Sequence, residues 1–140
     1  MRNTRREWND MAVRRLDHFN IAPRDLAASR RFYVEIIGLV DGYRPPFDSA
    51  GAWLYCGNQA VVHLLCSEQR RDGPTGRLDH IAFLGSCFGD TIARLRALGQ
   101  AFEYRPAPRA GLHQVFIKDP DGIEVEIGFP WEELIPNDLK

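Results

Sequence analysis

The feature that most constrains this chain is that it is written twice. Leu16-Asp17-His18 recurs as Leu78-Asp79-His80 at an offset of 62 residues, and each copy opens a short apolar run, FNIA in the first and IAFL in the second. In both halves a helical pattern follows and ends at a glycine, Gly38 and then Gly99. A repeated tripeptide alone arises by chance. The agreement in element order is what makes it a duplication. Half a chain of this length cannot bury a sheet face by itself, so two copies are expected to pack as one unit.

The first half reads as a strand over residues 13–21, broken at Ala22-Pro23, then a helix capped by Asp25 and running to about Ile37. Phe32, Tyr33, Ile36 and Ile37 give that helix its apolar stripe, and Gly38 supplies a left-handed stop. A strand over 39–43, a Pro-bearing loop, and strands over 52–56 and 59–66 around the Gly57-Asn58 turn complete the half. The second half repeats the order. A strand is expected over 78–85, then a helix from Phe88 carrying Ile92, Leu95 and Leu98 on one face. Strands over 102–105, 113–118 and 123–129 follow, the last two joined by Asp119-Pro120-Asp121-Gly122. The expected fold is therefore α+β, with two β-α-β-β-β modules forming a curved mixed sheet around a cleft. The expected limits are a leader over 1–12, module one over 13–66, a linker over 67–76, module two over 77–129 and a tail over 130–140, with the single domain reaching 136.

Composition narrows the function classes. The chain has 140 residues, a net charge of -1, and 44% hydrophobic and 26% charged residues, which describes an ordinary globular protein. Its cations are spread along the chain, so neither a nucleic acid nor an anionic membrane is expected as partner. No apolar stretch is long enough to span a bilayer, and the N-terminus lacks the apolar segment of a secretory signal. Cys56, Cys66 and Cys87 are odd in number and irregular in spacing, which fits neither a disulfide framework nor a Cys-based zinc site. A cytoplasmic location is expected.

Strand alternation then brings out four polar residues. His18 and His80 correspond through the repeat, and His63 corresponds to the glutamate pair Glu124 and Glu126 of the last strand, matching Glu126 at an offset of 63. In that last strand Ile123, Val125, Ile127 and Phe129 form an apolar face, and both glutamates point the other way. His63, with apolar neighbours on both sides, is expected in a strand buried on both faces. Asp79 is expected on the face opposite His80. A pseudo-two-fold axis between the halves would gather these positions around one point. Three imidazoles and a carboxylate are a sound ligand set for a divalent transition metal. A lone strand histidine is more often a hydrogen-bonded core residue, and a terminal-strand glutamate more often faces solvent. Repetition in register is what sets this group apart. His113 is expected at an exposed loop end near Glu126, with a possible acid/base or supporting role. Trp53, Tyr55, Phe47 and Tyr33 are expected to pack in the core, and Arg44 and Arg30 to be solvated.

The stretches LDHFNIAPRDLAASRRFYVEIIGL, LDHIAF and DPDGIEVEI resemble the vicinal oxygen chelate superfamily, which includes glyoxalase I, methylmalonyl-CoA epimerase, fosfomycin- and bleomycin-resistance proteins and extradiol dioxygenases. The resemblance covers residues 13–129 and selects Glu126 over Glu124. It implies a metal site of His18, His63, His80 and Glu126 holding one divalent ion (Zn, Ni, Co, Mn or Fe), with Glu126 and His63 as the groups that move protons. His63 departs from the Glu or Gln common at its position. The resemblance further implies a homodimer and a small-molecule substrate with adjacent oxygens, handled as a glyoxalase-like lyase or isomerase. A ferrous ring-cleaving dioxygenase on His18, His80 and Glu126, with His63 as acid/base, is the second expectation. A metal-free binding protein of the bleomycin-resistance kind is the third.

Overall fold

A computed structural model describes residues 15–69 and 72–140. The expected leader and the start of the first expected strand lie outside the described residues.

Two modules of the same design are present. Module one runs β1 (Phe19–Ile21), α1 (Leu26–Arg31), β2 (Val40–Gly42), β3 (Gly51–Cys56) and β4 (Gln59–Leu65). Module two runs β5 (Ile81–Leu84), α2 (Phe88–Ala97), β6 (Glu103–Ala107), β7 (Leu112–Lys118) and β8 (Glu124–Pro130). Each module forms its own four-stranded sheet, ordered β1-β4-β3-β2 and β5-β8-β7-β6. In each, the first strand pairs parallel with the last and the remaining pairs are antiparallel. The fold is α+β, and the expected duplication holds in register. Asn20 lies beside His63, and Ala82 beside Glu126. Trp53 lies across from His63, and Phe116 across from Glu126.

Asp25 caps α1 as expected, its Oδ1 accepting from the Ala28 amide at 3.0 Å. Beyond Arg31 the helix widens into a π-helical turn, Phe32–Ile36, in which the Ile37 amide reaches back to the Phe32 carbonyl at 3.2 Å. The wider turn buries Phe32, Tyr33 and Ile36 together. Gly38 then takes φ +91°, the left-handed conformation expected of it. In α2 the first amides are capped by the chain's own tail. Glu133 accepts from the Cys87 amide at 3.1 Å and from the Phe88 amide. Ile92 and Leu95 are buried as expected, but Leu98 is half exposed, because the helix turns it past the edge of the sheet.

The core lies between each sheet and its helix. Leu54, Val62 and Leu64 line it in module one, and Val115, Ile117, Val125 and Phe129 in module two. The opposite face of each sheet is more open, and it carries His63 and Glu126. β4 therefore alternates between buried and half-buried residues instead of being closed on both faces.

The turn Asp119-Pro120-Asp121-Gly122 fastens the modules together. The Tyr33 hydroxyl donates to Asp119 Oδ2 at 2.9 Å, fully buried, while Asp119 Oδ1 accepts from the amides of Asp121 and Ile123. Asp121 accepts from the Arg24 amide at 3.0 Å and from the Ser29 hydroxyl at 3.2 Å. Burial pushes the Asp119 carboxyl above its usual range, and burial beside that carboxyl raises the Tyr33 phenol.

Candidate metal centre

The four expected ligands occur as two pairs, one on the open face of each sheet. In module two His80 Nε2 lies 3.0 Å from Glu126 Oε2. Glu126 is 7% exposed, and its Oε1 accepts from the Gln114 side-chain amide at 2.6 Å. A buried carboxylate is costly unless each oxygen is satisfied, and here an amide and an imidazole divide the task. Glu124, the competing glutamate, is instead engaged by Lys118 near the hairpin turn.

In module one the rings of His18 and His63 stack at 3.7 Å and 15°, and Trp53 stacks on His63 at 4.0 Å and 8°. Parallel rings cannot both aim a lone pair at one point in their planes. His18 or His63 must turn before the two can share an ion. Burial and the neighbouring His18 lower the basicity of His63. Among the described residues no group of three or more His, Cys, Asp or Glu side chains converges to hold a metal within one chain.

The repeated Leu-Asp-His motif has a further role that strand alternation concealed. His18 and His80 precede β1 and β5, so their neighbours are not forced onto opposite faces. Asp17 Oδ2 lies 2.7 Å from His18 Nδ1, and Asp79 Oδ2 lies 2.8 Å from His80 Nδ1. A carboxylate can only accept, so each Nδ1 carries the proton, and in a neutral ring the lone pair is at Nε2. This is the usual way an outlying carboxylate presents a histidine to a metal. The hydrogen bond that His80 donates to Asp79, opposed by burial and aided by Glu126, raises the His80 pKa, and the partner His18 lowers that of Asp17. Gln59 fixes the first motif by donating to the carbonyls of Leu16 and Asp17, and Thr75 fixes the second by donating to that of Leu78.

His113 departs from expectation. It is 1% exposed and pairs with Phe129, on the helix side of β7, whereas Phe116 is the residue across from Glu126. Its Nε2 donates to the Trp131 carbonyl and its Nδ1 accepts from the Tyr104 hydroxyl, both at 2.9 Å. Phe88 and Trp131 cover its faces. Both nitrogens are satisfied, so His113 is a core residue with no reach to the open face.

Reading by spacing missed Gln114, Asp17, Asp79 and Trp53. The register of the hairpin closed by Asp119-Pro120-Asp121-Gly122 carried the signal for Gln114, since it sets Gln114 on the face of Glu126. Trp53 was expected in the core. It instead covers His63 on the open face.

The donor types suit a divalent transition ion: two imidazoles, His18 and His80, oriented by carboxylates, and one buried carboxylate whose second oxygen lies beside an imidazole nitrogen. The description Glyoxalase/Bleomycin resistance protein/Dioxygenase superfamily matches the chain over residues 15–127. Among solved structures, a glyoxalase/dioxygenase from Nostoc punctiforme is 20% identical with a TM-score of 0.71, covering 85% of this chain and 92% of its own. Lactoylglutathione lyase from Agrobacterium tumefaciens is 22% identical with a TM-score of 0.61, covering 85% and 96%. TnmS3, an antibiotic binding protein from a Streptomyces species, is 21% identical with a TM-score of 0.66, covering 86% and 98%. At these identities the likeness concerns the fold. No curated protein sequence matches at a significant level.

Proposed function

Because the chain belongs to the Glyoxalase/Bleomycin resistance protein/Dioxygenase superfamily, whose relatives include both enzymes and binding proteins, we propose that it is a metal-dependent lyase or isomerase acting on a small substrate with adjacent oxygens. The observation that carries this reading is the pairing of His80 with Glu126 at 3.0 Å, with Asp79 behind the imidazole and Gln114 behind the carboxylate. His80 Nε2 and Glu126 Oε2 make an ion pair when the imidazole is protonated. A divalent cation competes for the same two atoms.

In this reading the ligands are His18, His63, His80 and Glu126, and the ion is one of Zn, Ni, Co, Mn or Fe. Held by these residues, such an ion would supply Lewis-acid stabilisation of charge on adjacent substrate oxygens. The chain's own residues handle the proton. Gln114 holds Glu126 by Oε1, so Oε2 is the oxygen that would bind the ion and would have to loosen from it to take a proton and return it. His63, its basicity lowered by burial and by His18, is a neutral base near neutral pH. Trp53 packs flat on His63 and keeps water from that side.

The reading also includes a homodimer. Within one chain the His18/His63 and His80/Glu126 pairs are separate half-sites, and a second copy with its module two facing module one would join them. Apolar side chains on the open faces, Val40 at 64% and Leu84 at 79% exposed, are surface that such a partner would cover. A cytoplasmic setting belongs to the same proposal, supported by three free cysteines. No helix among the described residues is long and apolar enough to cross a membrane.

One observation favours a second reading. The stack of Trp53, His63 and His18 holds His63 with its ring faces covered. A site of His18, His80 and Glu126 that leaves His63 outside as acid/base would be a two-histidine, one-carboxylate arrangement suited to ferrous dioxygenase chemistry. Elemental analysis of protein purified without chelator separates these readings, with His63→Ala and Glu126→Ala in parallel. About one divalent ion per chain, lost in both variants, is expected for the four-ligand site. Iron kept in His63→Ala and lost in Glu126→Ala would move the assignment to the dioxygenase. A parent that takes up no metal on reconstitution would leave a binding protein.

A further inference from the structure

The loop before β3 brings Arg44 onto the open face of the first sheet, beside the His63 pair. There it lines a cavity of about 270 Å³ together with Asn20, Phe47, Trp53 and His63. Its Nε is fully buried and, among the described residues, has no hydrogen-bond partner, while its Nη2 donates to the Ser49 hydroxyl at 3.3 Å. The guanidinium also stands 5.0 Å from the centre of the Phe47 ring. An unsatisfied buried donor is costly, and more so when charged. A charged side chain held this way marks a place where a ligand atom completes the set.

Several other arginines are held by carboxylates. Arg30 pairs with Asp41, Arg24 with Asp72 and Arg96 with Asp138. On the open face of the second sheet, Arg105 is held by both oxygens of Glu103 at 2.8 and 2.7 Å. Among the described residues no carboxylate pairs with Arg44. The room for it is also built in. Gly51 lies on the same face of β3 as Trp53, and a Cβ there would come within 3.1 Å of Arg44 Cζ and Nε. The same Cβ would lie 2.3 Å from the Leu64 carbonyl oxygen, so a larger residue at position 51 would have to shift backbone as well as crowd the guanidinium.

We infer that Arg44 is the anchor for an oxyanion, a carboxylate, phosphate or phosphonate, carried by the substrate of the neighbouring metal centre. This rests on the metal-centre reading for where the reacting oxygens lie. Gly51 and Trp53 are two residues apart on one face of β3, so the anchor sits about 7 Å along the strand from the His63 rung. The substrate class that follows is a small anionic molecule whose charged group lies a few bonds from its vicinal oxygens. The flat walls of Trp53 and Phe47 flank the stretch between. Arginine suits this task through its planar fork, which binds oxyanions by two donors at once.

The test is a nitrogen–proton NMR titration of the full-length protein, reading the Arg44 Nε–Hε resonance assigned by its loss in Arg44→Lys. Acetate and methylphosphonate are the anionic probes, acetamide the neutral one, and sodium chloride controls for ionic strength. The expected result is a saturable shift of that resonance and of the Trp53 indole with at least one anion and with neither control. The stronger of the two anions names the group. In Arg44→Gln the affinity should fall at least tenfold while the thermal melt is kept. Equal shifts with acetamide or chloride, or undiminished binding in Arg44→Gln, would overturn the assignment. Metal content measured on the same samples keeps the two readings distinguishable. Metal bound without an anion response removes only the anchor, and an anion response in protein that takes up no metal removes only the metal centre.

Discussion

His80 Nε2 lies 3.0 Å from Glu126 Oε2, and each partner is braced from behind, the imidazole by Asp79 and the carboxylate by Gln114. Glu126 sits on β8, and His80 is the residue just before β5, the parallel strand beside it, so the pair is placed by sheet register on one side and by the start of a strand on the other. Register is the most rigid positioning device the fold offers.

Gln114 is the support whose loss is most easily read. In Gln114→Ala the carboxylate of Glu126 loses its amide and gains freedom to turn. Metal affinity is expected to fall by roughly 10- to 100-fold, as for other residues that orient a ligand. Competition against a coloured chelator measures this, and an unchanged melting temperature shows that the fold is retained.

His113 is expected to matter for stability only. His113→Ala removes a buried ring, opens a cavity between Phe88 and Trp131, and leaves the Tyr104 hydroxyl and the Trp131 carbonyl without partners. A loss of about 2–5 kcal/mol in unfolding free energy is expected. Metal content per folded chain should stay the same. A fall in metal content with intact stability would place His113 at the centre after all.

The clasp between the modules makes a second stability prediction. Tyr33→Phe keeps the ring but takes away the hydroxyl that donates to Asp119 Oδ2 in a buried site. The cost should be about 1–3 kcal/mol by urea denaturation. Binding at the open faces should be unaffected, since Tyr33 belongs to the helix layer.

The same clasp sets a pH dependence. Burial raises the Asp119 carboxyl, so the folded chain holds its proton to higher pH than the unfolded chain does. Between the two pKa values the native state binds more protons, and stability falls as pH rises. The contribution of Asp119 is therefore greatest below its unfolded value and is lost as pH rises through the folded one. Asp119→Asn should flatten this part of the stability curve. Denaturation of both proteins from about pH 4 to pH 7, compared as a difference, isolates the term. A difference that does not change with pH would show that the carboxyl is not shifted.

Much of this architecture was legible in the residues because its signals are periodic. The Leu-Asp-His repeat, the Asp25 cap, the Gly38 and Gly99 stops and the Asp119-Pro120-Asp121-Gly122 turn each mark an element end, and the elements fall there. Alternation correctly set Glu126 against the apolar face of Val125 and Ile127. It failed at Asp79, because that residue lies before its strand and strand rules do not govern it. It failed at His113 because burial on the helix side depends on the tail residue Trp131, which no local pattern announces. The cavity at Arg44 was hidden for a similar reason. It depends on a glycine in one strand and an arginine in the loop before it, which only the folded chain brings together.

The most direct test of the account is complementation between two disabled chains. His18→Ala and Glu126→Ala are each expected to hold no metal as pure proteins. If the half-sites of module one and module two meet across a dimer, a hybrid of the two variants contains one site with every ligand intact. Co-refolding an equal mixture, isolating the hybrid by differential tags and measuring its metal should then give about one ion per hybrid dimer. A hybrid that holds no metal, alongside a parent that does, would contradict a shared centre.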